Sequence, residues 1–227
     1  MPTETRSQGR PARGDGEVGR LRLLERTREA LKAKPRIDLQ RREIALAAGV
    51  TPALVSYYYP DKWDLLAAAA KPVIESYTAE VRAILASEGG PHRKVLALTY
   101  LFVDFNFQHG YLLDFYLENN ARMARQDDMR HLQEVYEEMT AFFGELLRDG
   151  LMRGDNPAFV QASLWGLCKY VAQQPSLAGL AESPDKDEVL RRQAEKVCDL
   201  FLHGAAMPGL VALRGAPERA TAAPALV

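Results

Sequence analysis

What this chain has little of narrows it first. Two cysteines, Cys168 and Cys198, stand in 227 residues. Both lie in apolar, helix-like surroundings and read as buried reduced thiols, not as a disulfide framework. No run reaches the roughly 18 apolar residues of a membrane span. The polar opening "MPTETRSQGRPARGDGEVGR" lacks the apolar core of a secretory signal, so a cytoplasmic protein with no membrane partner is expected. His92, His109, His131 and His203 are too far apart to form an H-x-x-x-H metal pair. There is no G-x-S-x-G elbow, no phosphate loop and no dinucleotide fingerprint. "HLQEVYEE" sets Glu134 three residues after His131, a spacing common on charged helices. The expectation is no catalysis, no metal and no cofactor. No stretch alternates apolar and polar residues with period two, so no sheet is expected.

What is present is helical. Leu21, Leu24, Arg28 and Leu31 recur at helical spacing from about Val18, and Pro35 ends that run. Further helical patterns cover "KWDLLAAAAKPVIESYTAEVRAIL", with Pro72 inside it and a kink expected there. They continue over about 92–108, 111–120, 124–150, 157–175 and 186–206, with "GGP" at 89–91 as a clear break. Residues 1–17 are polar and rich in Gly, Pro and Arg, and read as a disordered basic arm. From Pro208 the chain turns Ala/Pro-rich and reads as a loose tail. Net charge is −1 overall, but residues 1–62 hold 13 Lys/Arg against 8 Asp/Glu, a net of +5. The remainder holds 16 against 22, a net of −6. A basic front and an acidic back point the front toward an anion.

The most informative stretch is "EIALAAGVTPALVSYYYPDK", Glu43 to Lys62. Ile44, Ala45 and Ala48 share one helical face, and Gly49 can close that helix in the left-handed conformation. Asp38 or a near neighbour can cap its start. Thr51 suits an N-cap and Pro52 the first helical position of a second short helix. Pro60 ends this helix and Asp61 can cap the next. Ala45, Gly49 and Val55 supply a small residue at the contact, a turn glycine and a branched lock, as a helix–turn–helix requires. The second helix of such a unit presents its N-terminal residues to base edges in the major groove. Three consecutive tyrosines, Tyr57, Tyr58 and Tyr59, point about 100° apart on a helix, so at least one ring must face outward.

"IALAAGVTPALVSYYYPDKWDLL" resembles the signature of the tetracycline-repressor (TetR/AcrR) family of bacterial transcription regulators, strongly over about residues 20–66. The resemblance implies homodimers that repress transcription and leave DNA when a small molecule binds. It assigns Tyr58 to a phosphate contact, Tyr57 to the groove, Tyr59 to the small domain's core and Lys62 to the DNA backbone. Thr51, Pro52, Ala53 and Ser56 match the groove-facing part of the recognition helix, with Ser56 in place of the common tyrosine. Arg41 and Arg42 begin the preceding helix, where an arginine can be bidentate to guanine. Pro35 stands where the family usually has glycine. Arg6, Arg10 and Arg13 are positioned for an adjacent minor groove, as basic arms are elsewhere; a plain tail is the simpler reading.

The expected architecture is all-α, with about nine helices. A three-helix DNA-binding domain spans 18–66, and a larger ligand-binding and dimerisation domain spans 67–207. The helices at 157–175 and 186–206 carry Leu164, Gly166, Leu167, Val171, Val189, Val197, Leu200 and Phe201. They resemble the pair through which family members dimerise, which suits a palindromic operator in double-stranded DNA. The middle helices are rich in aromatics, and an apolar cavity with few polar groups is the usual small-ligand site. Phe102, Phe105, Asn106, His109, Phe115, Met123, Met139, Phe143, Trp165 and Cys168 are the candidate lining for a small apolar or aromatic effector, with Asn119 and Gln173 as further polar anchors. The alternative is a helical partner module of the same fold that has lost specific DNA binding.

Overall fold

The computed structural model describes residues 13–33, 40–118 and 127–203. Among them are eight α-helices, two short 3₁₀ turns and no strand, as an all-α chain requires. The first helix, α1, runs Arg13–Ala33 and starts inside the stretch expected to be a disordered arm. Once the apolar turns nucleate a helix, each added residue gains a hydrogen bond without a new nucleation cost. Arg6, Arg10, Pro35 and Asp38 lie outside the described residues, as do 119–126 and everything after His203.

The buried face of α1 also differs from expectation. Leu23, Thr27 and Leu31 are buried, whereas Leu21 is 62% exposed. Two leucine rows are available in "RLRLLERTREAL". The one that wins includes a threonine whose hydroxyl is satisfied within the helix, donating to the Leu23 carbonyl at 2.7 Å. A polar residue can thus sit in the core at little cost, and apolar spacing does not reveal it.

Helix α2 is Arg41–Ala48. Its start is held by Gln40, whose N–H donates to the Glu43 carboxylate at 2.9 Å; Gln40, not Asp38, is the N-cap residue. Gly49 follows at φ 64°, the left-handed geometry that favours glycine. Helix α3 is Pro52–Tyr58, capped by Thr51, whose hydroxyl accepts from the Leu54 N–H at 3.2 Å. Helix α4, Lys62–Ala86, is capped by Asp61 and continues unbroken through Pro72. It therefore crosses the boundary expected at 66/67.

Helix α5 is Pro91–Glu118, with a kink at His109 (φ −134°, ψ 15°) just before Gly110. Helices α6 (Asp127–Arg148), α7 (Pro157–Ala172) and α8 (Lys186–His203) complete the body. Helix α1 packs on α2 and α4, while α5 lies centrally against α4, α7 and α8. One continuous core joins Leu65, Leu66, Leu98, Phe102, Phe143, Leu164 and Leu190. Cys168 and Cys198 are buried free thiols. No helix among the described residues is long and apolar enough to cross a membrane.

Gly49 is a sensitive point. A Cβ there meets no neighbour within 4 Å, so Gly49→Ala isolates the backbone penalty. It should cost roughly 1–2 kcal/mol, lowering Tm by several degrees in a thermal melt followed by circular dichroism.

Candidate nucleic-acid interface and ligand chamber

Val55 is fully buried beside Ile44 and Ala45. Locking that side of α3 turns the opposite side outward. Thr51, Pro52 and Ala53 are exposed and Ser56 is half-buried. Tyr57 and Tyr58 diverge as helical spacing requires, and Tyr59 follows the helix in a non-helical conformation (φ −135°, ψ 89°). Tyr57 is 68% exposed. Tyr58 is half-buried and meets Tyr57 edge-on, with ring centroids 5.4 Å apart. Tyr59 is buried, and its hydroxyl accepts from Arg20 Nε at 2.9 Å. The Tyr58 hydroxyl lies 3.7 Å from where a Cβ on Gly19 would stand. Gly19 and Arg20 are thus part of this surface, although nothing near them in sequence announces it.

The two candidate arginines have different placements. Arg41 donates to Ser56 Oγ at 3.3 Å and to the Pro60 carbonyl, bracing α2 against the C-terminal end of α3. Arg42 is exposed. Lys62 stands at the start of α4 with its Nζ 4.9 Å from the centre of the Trp63 ring. The exposed groups of α3, with Arg42 and Lys62, offer hydroxyls, an aromatic face and positive charge, the groups that phosphates and base edges accept.

A chamber of about 360 Å³ opens between α4, α5, α6 and α7. Helix α4 contributes Ile74 and Tyr77, and α5 contributes Phe102 and Phe105. Leu132, Tyr136 and Met139 come from α6, and Gln161, Ala162 and Trp165 from α7. The rings form a joined wall: Tyr77 and Phe105 centroids are 4.6 Å apart, and Phe102 meets Trp165 edge-on at 4.9 Å. Gln161 is buried, its Oε1 2.6 Å from Thr140 Oγ1. Among the described residues, no charged side chain lines the chamber.

Four expected lining residues are there: Phe102, Phe105, Met139 and Trp165. Asn106, Phe143 and Cys168 are buried outside it. Asn106 instead donates to the Phe102 carbonyl at 2.7 Å, and Cys168 Sγ sits 3.8 Å from the Thr99 carbonyl. Both lie one helical turn or less from a lining residue, and helix facing separates them. His109 lines a different, polar cleft with Arg28, Pro72 and Asp104. Gln173 lines none of these hollows. Met123, Asn119 and the Phe115 side chain lie outside what is described. The polar anchor in the chamber, Gln161, carries no sequence signal.

Beside the chamber, and sharing Ile74 with it, lies a second hollow of about 300 Å³. Lys71, Glu75, Thr78, Arg82 and His131 line it. Arg82 Nη2 reaches Glu138 at 2.9 Å and Glu134 at 3.3 Å, tying α4 to α6. His131 Nδ1 is 3.3 Å from Glu134. The His131 hydrogen bond, then that of Arg82, holds the Glu134 carboxyl below its usual range.

Burial around the chamber also shifts its acids. The Cys168 thiol is pushed up to about 12 by desolvation, then by Cys198. Tyr77 is driven well above its ordinary range by burial. The unfolded chain releases the thiol proton near pH 9, but the folded chain holds it until about 12. This contribution is therefore intact below pH 9 and falls above it, by on the order of 1 kcal/mol per pH unit. Urea unfolding at pH 8 and pH 10 should show the loss, and Cys168→Ala should flatten the slope.

No family model matches the sequence, and no curated protein matches it. The fold does have solved counterparts. One is a transcriptional regulator of the TetR/AcrR family from Thermobifida fusca, at TM-score 0.58 and 21% identity, with 83% of this chain and 98% of that one covered. Another is AibR in complex with isovaleryl coenzyme A and operator DNA, at TM-score 0.60 and 14% identity, covering 81% and 98%. A third is FadR from Bacillus subtilis in complex with stearoyl-CoA, at TM-score 0.57 and 13% identity, covering 82% and 99%. With its helix–turn–helix front and helical body, this chain has the fold of the TetR/AcrR transcriptional regulators.

Proposed function

We propose that the chain is a sequence-specific DNA-binding regulator of transcription, a homodimeric repressor released from a palindromic operator by a small apolar or aromatic effector. Residues 18–66 are its DNA-binding unit and 67–207 its effector and dimer unit. The outward face of α3 carries the reading: an interior locked by Val55 and Tyr59 leaves Thr51, Pro52, Ala53 and Tyr57 presented to solvent. Arg42 and Lys62 suit phosphates beside it, with Ser56 and Tyr58 between. Arg41 acts in this scheme chiefly by positioning α3. The counterparts solved with operator DNA and with acyl-coenzyme A support the same two-ended scheme.

The dimer rests on α7. Its inner row, Val160, Leu164 and Cys168, is buried in the chain's own core. Its outer row holds Phe159 and Tyr170, 70% and 71% exposed. Between them a Cβ on Gly166 meets nothing within 4 Å. A glycine inside a helix costs about 1 kcal/mol against alanine, and nothing in this chain compensates it. Close approach of a second α7 does. Sedimentation velocity should give twice the 25.3 kDa chain mass, and Gly166→Trp should halve it while helicity is kept.

DNA binding is tested by fluorescence anisotropy on DNA from upstream of the chain's own gene, with a shuffled copy as control. The native fragment should bind at least ~10³-fold tighter at physiological salt. Tyr57→Ala should weaken binding roughly 10- to 100-fold, and Lys62→Ala should reduce the salt slope by about one. Binding to neither fragment, at any salt, would put the partner-module reading first.

A further inference from the structure

We propose that the effector is an amphipathic anion, with an apolar tail in the chamber and a carboxylate or phosphate head in the adjoining hollow at Lys71, Arg82 and His131. The inference rests on the reading of the chamber as the effector site. The two spaces meet at Ile74 and differ in chemistry. Among the described residues the chamber is walled by rings, apolar side chains and Gln161, with no charged group, so a charged head placed there would lose its hydration without an ionic partner. At about 360 Å³ it is near the lower end of small-ligand cavities. A longer molecule therefore extends past Ile74 into the hollow.

The hollow has the opposite character. Among the described residues Lys71, Arg82 and His131 line it with Glu75, which stands 3.9 Å from Lys71, while Glu134 and Glu138 pair with Arg82 and Glu134 with His131. An ammonium head would face the like charges of Lys71 and Arg82. An anion meets donors that are already presented to oxygen, because Arg82 holds the Glu138 and Glu134 carboxylates at 2.9 and 3.3 Å. Those pairs lie on side chains more than two-fifths exposed, where ion pairs contribute little. Exchange of a protein carboxylate for a ligand's is therefore inexpensive, and burial of the tail drives it. The exchange also unties α6 from α4. The ligand then makes different contacts in two states of the protein, which any ligand must do to shift them.

The test is isothermal titration of the full chain at pH 7 with octanoate, octyl phosphate and 1-octanol, which share one tail. At least one of the two anions should bind roughly 10-fold or more tighter than octanol, the scale of hydrogen bonds to charged groups, and the tighter of them identifies the head. In Lys71→Ala/Arg82→Ala that preference should vanish while octanol affinity is unchanged, which also shows that the variant is folded. Ala162→Trp, which fills the chamber, should abolish binding of all three. Equal binding of octanol and the anions in the unaltered chain overturns the anionic head and leaves the chamber reading standing. Binding that survives Ala162→Trp, or no binding at all, overturns the chamber reading and this inference with it.

Discussion

Helix α4 belongs to both halves of the molecule, and the rest of the structure depends on its being one piece. Its first turns bury Leu65, Leu66, Ala69 and Ala70, where α1 packs. Two turns later Ile74 and Tyr77 wall the chamber. At 1.5 Å per residue, Lys62 at the start of α4 is only ~20 Å from the chamber along a single helix. The run Ala67–Ala70 puts four small side chains at the join, so neighbouring helices can approach closely. The helix carries Pro72 in this stretch without interruption, although proline removes one backbone hydrogen bond. Buried residues on either side, Ala70 and Ile74, carry the helix through it.

The helix–turn–helix unit applies the same logic at smaller scale. A seven-residue helix such as α3 is not stable alone. It is fixed by Val55 in the core, by the Thr51 cap, by the Gly49 turn and by Arg41 across to the Pro60 carbonyl. Tyr59 adds a tie to α1 through Arg20. Each restraint acts from the inner side or the ends. The outer side is left in solvent, with Pro52, Ala53 and Tyr57 exposed.

The helix–turn–helix was legible because its constraints are local. A glycine at φ 64°, a Thr-Pro start and an Asp cap each act within a few residues, so spacing in the sequence reports them directly. The divergence of Tyr57 and Tyr58 follows from a 100° rotation per residue, while Tyr59 leaves the helix at φ −135°, ψ 89° and turns into the core. What was not legible depends on long-range choices. In α1 two leucine rows competed, and the one chosen includes Thr27 because its hydroxyl is satisfied in the helix. In the body, Asn106 and Cys168 are neighbours of chamber residues in sequence but face other helices. Gln161, which reads as an ordinary polar residue, is buried at the chamber wall. The apolar residues of α7 and α8 mixed two surfaces: Leu164 and Val197 belong to the chain's own core, while Gly166 and Leu200 face outward.

Tyr77 and Phe105 have a second side. They line the apolar chamber and also the polar cleft where Arg28 of α1 meets Pro72, Asp104 and His109. The chamber and the cleft lined by Arg28 of α1 are therefore separated by one layer of two touching rings, 4.6 Å between centroids. Interiors at this packing density do not deform smoothly; rings displaced by a tail must settle in another discrete arrangement, with α1 on the far side of the wall. Adjacency alone is a route and not a coupling. It becomes one when the occupant binds the two arrangements unequally. An occupant whose head competes for Arg82 while its tail presses on Tyr77 acts on α4 at both points, five residues apart. Its preference between the two arrangements is then set on the same helix that ends at Lys62.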